Sequence, residues 1–163
     1  METTVDQIQI MKRVIQLSRQ GMVGGFGGPF GCVIVKDGKI VGEGHNEVLA
    51  TNDPTAHAEV LAIRRASAKL KTFNLGGCEM YINGTPCCMC MSSMLWAHID
   101  RAYYILEEKD SQAVGFGDKH LYEEVARPLG QRRILPMIHL PQLHGEALAV
   151  YEEWTAKEDK VTY

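Results

Sequence analysis

Three side chains of the types that bind zinc occur in this sequence at a spacing that could form one site: His57, Cys87 and Cys90. Imidazole nitrogen and thiolate sulfur are common zinc ligands in proteins. Structural zinc sites have four protein ligands, whereas catalytic sites have three and leave the fourth position to water or substrate. Glu59 supplies a carboxylate two residues after the histidine. The spacing therefore predicts a catalytic zinc with a proton-transferring residue beside it.

The charge of this ligand set explains why the carboxylate is needed. Two thiolates and a neutral imidazole cancel the charge of Zn²⁺, so the metal is a weaker Lewis acid than a zinc held by three histidines. A base must then take a proton from the water, and Glu59 is the acid inside the motif that could do so and later return the proton to a substrate. We predict that Glu59 is catalytic and does not bind the metal.

Cys88 is a fourth candidate ligand, and its participation would give a closed structural zinc site with three cysteines and one histidine. Adjacent residues of a helix point in different directions, whereas residues three apart share a face. Cys87 and Cys90 are three apart, while Cys87 and Cys88 are neighbours. We therefore expect Cys88 to lie outside the site.

The hydrophobic pattern places these residues at the beginning of two helices. The residues from Asp53 to Thr55 offer a stop and a cap before a helix over 56–70, and Pro86 begins a helix that ends near residue 97. Asp37-Gly38 predicts a hairpin turn between two strands. The remaining elements are predicted as helices over 4–20 and 144–156 and as strands over 32–35, 39–41, 79–82, 101–106 and 134–138. Together they predict an α/β domain with a mixed, roughly five-stranded sheet.

Length and composition fit a single domain over residues 1–163, because a chain of this size can bury a core without disulfides. The net charge of -3 gives no reason to expect a nucleic-acid partner. No apolar run approaches the ~20 residues of a membrane span. Three of the five cysteines fall within four residues, which suits metal binding in a reducing compartment. We predict a cytoplasmic protein that binds neither nucleic acid nor membrane.

The order His-x-Glu and then Pro-Cys-x-x-Cys is the signature of zinc nucleobase deaminases, and through it the chain resembles the cytidine deaminase-like superfamily. Within that superfamily it is similar to bacterial guanine deaminases along nearly the whole chain, from Gly28-Pro29-Phe30-Gly31 through Gly115-Phe116-Gly117-Asp118 to Tyr163. The resemblance implies a three-layer α/β/α sandwich, one Zn²⁺ per chain, and hydrolytic deamination of a small purine, foremost guanine to xanthine and ammonia.

The same resemblance implies roles for four residues around the substrate. Phe30 would stack on the purine, and Asn46 would hydrogen-bond its ring. Trp96 would form a wall of the pocket, and Asp118 would contact the guanine edge. Each has an ordinary structural alternative, since aromatic residues also pack in cores, and Asn and Asp also occupy turns and helix caps.

The resemblance further implies a homodimer. The C-terminal segment of this family can cross to a partner subunit, so residues of about 144–163 would be exchanged between two copies. Tyr163 would then help to close the pocket of the neighbouring copy.

Two residues depart from the family pattern beside the zinc cysteines. Thr85 replaces a glutamate, and Cys88 replaces a proline that would stiffen the first helical turn. Guanosine, an s-triazine and cytosine therefore stay open as alternative substrates.

The stretch from Asp53 to Glu59 also resembles tRNA adenosine deaminases, although the acidic C-terminal tail argues against RNA. A structural zinc protein is the remaining alternative.

Overall fold

The computed structural model of the chain describes residues 5–162, so Thr4, the first residue of the predicted helix over 4–20, and the predicted site residue Tyr163 lie outside the described part. The chain divides into two compact units, one ending at Lys119 and one beginning at His120. The helices and strands, in chain order, are α1 (Val5–Val23), β1 (Gly31–Lys36), β2 (Lys39–His45), α2 (Val48–Thr51), α3 (Ala58–Leu70), β3 (Cys78–Ile82), α4 (Cys88–Trp96), β4 (Arg101–Tyr103), α5 (Glu108–Ala113), α6 (Lys119–Val125) and α7 (His144–Ala156).

A four-stranded mixed sheet with the order β2-β1-β3-β4 forms the centre of the first unit. Strand β1 is antiparallel to β2 and β3, and β3 is parallel to β4. The connection between β1 and β2 is the predicted hairpin. Its two turn residues, Asp37 and Gly38, have φ values of 49° and 72°, as the tight turn favoured in hairpins requires. The prediction of a mixed sheet is confirmed.

The prediction of five strands is wrong by one, because the segment 134–138 is not a strand. The backbone N–H groups of Arg133, Ile134 and Leu135 instead donate to Oε1 of Glu124, at 2.6, 2.8 and 3.2 Å. An N–H group committed to a carboxylate is not available to a neighbouring strand. A run of apolar residues gives no sign of such a competitor, so the pattern alone misassigns the segment.

Helices cover both faces of the sheet and confirm the three-layer α/β/α sandwich. Successive side chains of a strand point to opposite faces, and this alternation separates two apolar clusters. The cluster under α1 consists of Val14, Leu17, Val33, Val35 and Tyr81. The cluster under α3 and α4 includes Cys32, Ile34, Met80, Ile82, Ala62, Ala66, Cys90 and Met94. The second cluster lies directly beneath the residues predicted to bind zinc.

Two predicted boundaries differ from the structure. Helix α1 continues to Val23 rather than ending at Gln20, since a glycine weakens a helix without forbidding it. The N–H groups of Gly24 and Phe26 then bond to carbonyls of the last turn. Strand β4 ends at Tyr103, three residues before the predicted end.

The unit that begins at His120 has little core of its own. Among residues 120–162, Glu124 is the one buried residue. Large apolar side chains of this unit are exposed, with Ile138 at 81 % and Tyr151 at 74 %. Helix α7 has the bounds that the sequence predicts. No helix within residues 5–162 combines the length and the apolar character that crossing a membrane requires.

The carboxylate of Glu124 should hold residues 133–135 in a pH-dependent way. Burial raises the pKa of this carboxyl group, but the three backbone N–H donors and Arg127 together lower it, so the pKa of Glu124 lies below its ordinary value of 4.5. A lowered folded-state pKa contributes stability above the unfolded-state pKa, and that contribution is lost as the pH falls through the folded-state value. We expect Glu124→Gln to speed amide hydrogen exchange at residues 133–135 at pH 7.

The rate of amide hydrogen exchange at residues 133–135, divided by its intrinsic rate, should rise in the wild-type protein when the pH is lowered below about 4.5. This ratio should change less in Glu124→Gln. Glu123→Gln, on the exposed side of the same helix, is the matched control. Equal exchange in the wild-type and Glu124→Gln proteins at pH 7 would mean that other contacts hold these N–H groups.

Candidate active site

The start of helix α3 positions His57 and Glu59. His57 is the N-cap residue and has an extended backbone, while Glu59 lies in the first turn and is 8 % exposed. The turn before the helix is held by Asp53, whose carboxylate accepts hydrogen bonds from the N–H and the hydroxyl of Thr55 at 2.8 and 2.7 Å. Both predicted residues therefore stand at the same helix end, but the helix begins at Ala58, two residues later than predicted, so His57 precedes its first turn.

Two glycines of β2 let α3 lie against the sheet at backbone distance. A Cβ atom on Gly44 would lie 2.4 Å from the carbonyl oxygen of Ala58, and one on Gly42 would lie 2.4 Å from that of Ala62. Any side chain at these positions would push the helix away. The first turn of α3, with His57 and Glu59, is thereby fixed over β2.

The start of helix α4 brings both cysteines to His57. Cys87 is the N-cap residue, and its sulfur accepts the N–H of Cys90 at 3.5 Å. The Sγ atoms of Cys87 and Cys90 each lie 3.5 Å from Nδ1 of His57. Zinc bound at about 2.3 Å to sulfur and about 2.0 Å to nitrogen, in tetrahedral geometry, places these ligand atoms about 3.5 Å apart. The three side chains fit one zinc ion.

Cys88 lies outside this group. Within residues 5–162, the histidine, cysteine and acidic side chains that could hold a metal ion together are His57, Cys87 and Cys90, with ligand atoms within 4.8 Å of one another. The first turns of α3 and α4 meet at the group, and the partial positive charge of helix N-termini favours thiolates there. The arrangement has the three protein ligands of a catalytic zinc rather than the four of a structural one.

Phe30 and Asn46 lie on segments that are hydrogen-bonded to each other. The N–H of Asn46 donates to the carbonyl oxygen of Phe30 at 3.0 Å. The Asn46 side chain is buried, and its Oδ1 accepts the N–H groups of Gly28 and Val48 at 3.3 and 3.2 Å. Phe30 is half-buried and packs against the same apolar cluster as Cys87. The structure thus brings the predicted stacking residue to the core beneath the cysteines.

Residues 115–118 add a second aromatic ring and the predicted aspartate. Phe116 meets Phe30 edge to face, with ring centroids 5.0 Å apart and an angle of 88°. Asp118 is half-buried. The pKa of His57 is raised first by its hydrogen bond to Cys87 and also by the negative charges of Glu59 and Asp118. Phe116 was not predicted as a site residue, although the stretch that contains it was singled out for Asp118.

Residues 4–106 match the family described as the cytidine and deoxycytidylate deaminase zinc-binding region, which is more than half of the chain. The chain belongs to this deaminase family. Zinc is therefore its cofactor, and its reaction class is hydrolysis of a C–N bond in a cyclic amidine. The predictions of a zinc-dependent deaminase and of a hydrolase are confirmed.

Individual deaminases resemble the chain to different extents. Guanine deaminase of Bacillus subtilis is 39% identical over 153 residues, which cover 94% of this chain and 96% of the relative. The X-ray structure of guanine deaminase from that organism matches with a TM-score of 0.89 at 38% identity and covers 96% of this chain and 98% of the other. The predicted resemblance to bacterial guanine deaminases is confirmed.

Two further relatives differ in how much of the chain they match. A structure of guanine deaminase from Nitrosomonas europaea has a TM-score of 0.66 at 25% identity and covers 96% of this chain and 87% of the other. The tRNA-specific adenosine deaminase of Aquifex aeolicus is 42% identical over 81 residues, which are 50% of this chain and 54% of the relative. The sequence match to this RNA-specific enzyme spans half of the chain.

Their mutual hydrogen bond shifts the pKa values of the two cysteines of the deaminase site in opposite directions. Hydrogen bonds from Cys90 and His57 lower the pKa of Cys87 to about 4. The hydrogen bond to Cys87 raises the pKa of Cys90, and burial raises it further. Cys87 is therefore the first thiolate, and binding of a dication favours loss of the second thiol proton as well. Burial raises the pKa of Glu59 above its ordinary value, the direction expected for a general acid and base.

Trp96 is not brought to this site. It lies at the C-terminal end of α4, is 68% exposed, and lines a separate groove together with Ile63, Lys71 and Phe73.

Thr85, which replaces the family glutamate, uses its hydroxyl to donate to the carbonyl oxygen of Leu106 at 3.0 Å. The hydroxyl of Thr85 therefore ties the loop before the cysteines to the segment after β4.

Proposed function

We propose that this chain catalyses the hydrolytic deamination of guanine to xanthine and ammonia. The observation that carries the proposal is the extent of similarity to the Bacillus subtilis guanine deaminase, which covers 94% of the chain. That similarity includes the segments of Phe30, Asn46 and Asp118 as well as the zinc-binding region. The similarity to tRNA-specific adenosine deaminases supports the reaction type over half of the chain.

In the proposed reaction, His57, Cys87 and Cys90 hold zinc and Glu59 moves the protons. When bound, zinc polarises a water molecule and lowers its pKa, so that a nucleophile forms near neutral pH. Glu59 accepts a proton from the attacking water and donates it to a ring nitrogen of guanine. It then takes the proton of the hydroxyl group newly added at C2 and passes it to the leaving amine. A C–O bond forms at C2 and the C–N bond to the amine breaks, with water as the only other reactant.

The proposed substrate contacts follow from how three side chains are held. The half-buried ring of Phe30 offers a face on which a purine can stack. The oxygen of the Asn46 amide already accepts two backbone N–H groups, so the amide would use its Nδ2 hydrogens on an acceptor of the purine. The carboxylate of Asp118 would accept N–H groups of the guanine edge.

Ammonia release from guanine, guanosine, adenine, cytosine, cytidine and an s-triazine tests the proposed substrate. We expect guanine to have the highest kcat/KM, by about 10²-fold or more, because a site built to bond specific N–H groups rejects rings that lack them. Removal of zinc by a chelator should abolish the activity, and added zinc should restore it. Faster turnover of another ring would refute guanine as the substrate and leave the deaminase assignment in place.

An RNA-modifying activity is the second candidate, because 81 residues of the chain, half of its length, are 42% identical to a tRNA-specific adenosine deaminase. A net charge of -3 disfavours binding to an RNA backbone. We therefore expect only weak tRNA binding and no inosine formation in tRNA. Tight, salt-sensitive tRNA binding with adenosine deamination would favour this candidate over guanine.

We also propose that the protein is a homodimer in which a C-terminal segment of about 144–163 is exchanged between copies. The support is the second unit, where Glu124 is the one buried residue of 120–162 while large apolar side chains such as Ile138 and Tyr151 are exposed. A segment of this length without an apolar core is not stable alone. A second copy would cover such a surface on both chains by symmetry. The proposed role of Tyr163 in closing the neighbouring pocket depends on this dimer.

Light scattering coupled to size exclusion tests the dimer. We expect two 18.2 kDa chains per particle. Trp154→Asp should shift the protein toward monomers and lower kcat/KM for guanine about tenfold or more, since a buried charge without a partner is costly. Thr155→Asp, the adjacent exposed position on α7, is the matched control. A monomer with full activity would contradict the dimer.

We finally propose a cytoplasmic location and a role in purine metabolism. None of the five cysteines forms a disulfide, as expected in a reducing compartment. Guanine and xanthine are free purine bases, so the reaction would connect steps that release guanine with steps that oxidise or export xanthine.

A further inference from the structure

Asn83 joins the loop of the zinc-type cysteines to the loop of Phe30. It directly follows β3, precedes Cys87 by four residues, and is 8% exposed. Its Nδ2 donates to the carbonyl oxygen of Pro29 at 2.8 Å, and its Oδ1 accepts the N–H of Gly31 at 2.8 Å. These two backbone groups flank Phe30. The amide therefore holds the backbone on both sides of the ring.

The position of Asn83 in the sheet explains why a side chain makes these bonds. Strands β1 and β3 pair as far as Cys32 and Ile82, so the next pair in register is Gly31 and Asn83. The amide continues the contact between the strands where the backbone ladder ends. On its other side, the carbonyl oxygen of Asn83 accepts the N–H of Leu106 at 2.9 Å. Because Asn83 is itself held in place, its side chain can fix the position of the Phe30 segment to which it is bonded.

The ring of Phe30 has limited support from side-chain packing. It is half-buried, and its edge-to-face partner Phe116 is 47% exposed. The backbone around it is better fixed, because the carbonyl of Phe30 also accepts the N–H of Asn46. A planar amide with one donor and one acceptor bond restrains both the position and the rotation of the peptide units it binds. The ring is thus placed chiefly through its backbone.

We propose that Asn83 is a positioning residue that sets where the Phe30 ring lies relative to His57, Cys87 and Cys90. The inference rests on the proposed function, in which a purine stacks on Phe30. Asn83 does not touch the purine. It acts through Phe30. Because Asn83 also belongs to the loop that carries the metal-binding cysteines, it fixes the position of the stacked base relative to the metal ligands.

Asn83→Asp tests the proposal, because it keeps the size of the side chain and removes the donor to Pro29. A carboxylate oxygen would then face the Pro29 carbonyl, and both atoms are acceptors. We expect KM for guanine to rise about tenfold or more while kcat changes less, since a contact that positions the bound base contributes to binding. Val14→Ala, in the cluster under α1, is the control for general destabilisation. It should leave KM within about twofold.

A double-mutant cycle with Phe30→Ala separates a positioning role of Asn83 from general destabilisation of the protein. If Asn83 acts through the ring, Asn83→Asp should change KM less than about twofold in the Phe30→Ala background, although it changes KM strongly alone. Additive effects, an unchanged KM in the single variant, or loss of bound zinc from Asn83→Asp would each overturn the proposal.

Amide hydrogen exchange gives a readout that does not depend on turnover. Exchange at Gly28, Phe30 and Gly31, the residues of the segment 28–31 that have a backbone N–H, should be faster in Asn83→Asp and in Asn83→Ala than in the wild-type protein. If the wild-type protein deaminates a ring other than guanine, the cycle is performed with that ring, so the proposed substrate fails while the role of Asn83 is still tested. If no ring is turned over, unchanged exchange at residues 28–31 overturns the role of Asn83.

Discussion

Glu59→Gln should retain bound zinc and lose about 10³- to 10⁴-fold in kcat for guanine. Glutamine has nearly the shape of glutamate, so the buried position in the first turn of α3 can hold it without rearrangement. It cannot accept a proton from water or deliver one to the ring and the amine. The proposed reaction needs each of these transfers in every turnover, so the loss should appear in kcat rather than in KM.

The measurement combines steady-state ammonia release with a zinc-to-protein ratio on the same sample. Glu43→Gln is a suitable control, because Glu43 is a carboxylate of β2 whose partner is Arg13, at 2.8 Å. That variant should keep activity within about threefold, as expected of a residue remote from the chemistry. A Glu59→Gln protein that retains a tenth or more of the wild-type kcat would remove Glu59 from the assigned role.

Cys87→Ser and Cys90→Ser should each lose tightly bound zinc and reduce turnover to the background rate, whereas Cys88→Ser should keep both. The sulfur atoms of Cys87 and Cys90 each lie 3.5 Å from His57 Nδ1, while Cys88 is outside the metal-binding group. Removing one of three ligands leaves too few for a stable zinc site. The three adjacent substitutions are chemically identical, so Cys88→Ser controls for the loss of a thiol.

Zinc content after competition with a chelator and the thermal midpoint are the two readouts for the cysteine series. Because a bound metal stabilises the folded state, the two ligand variants should also unfold at lower temperature than Cys88→Ser. Loss of zinc from Cys88→Ser would indicate a fourth protein ligand. The site would then be closed, as in a structural zinc protein, and the proposed chemistry would not be possible there.

Local patterns predicted most of the first unit. Asp37-Gly38 indicated a hairpin because few dipeptides tolerate two positive φ values, and both residues have them in the structure. Asp53 to Thr55 and Pro86 indicated helix starts, and α3 and α4 begin within two residues of the predicted positions. Such signals depend on neighbours in the chain, so they can be recognised without knowledge of the fold.

Apart from the approach of His57 to Cys87 and Cys90, contacts between distant segments were not predicted. The segment 134–138 has the apolar character of a strand, yet its neighbouring N–H groups bind Glu124, which is ten residues before Ile134. Trp96 was expected in the pocket and lies in another groove. Asn83 forms a hydrogen bond to Gly31, 52 residues away. The residues next to Asn83 in the sequence do not indicate that partner.

The identities and spacing of His57, Glu59, Cys87 and Cys90 were enough to specify a zinc site and the chemistry of a deaminase, because ligand type and helical periodicity are local properties. The meeting of these residues across 30 positions of chain required helices α3 and α4 to begin at one point above the sheet. The surroundings of the metal, with Phe30 held between Asn83 and Asn46 and Phe116 against its edge, arise from packing and hydrogen bonds between segments far apart in the chain. Such contacts depend on the folded arrangement of the whole unit, which no single stretch of sequence encodes.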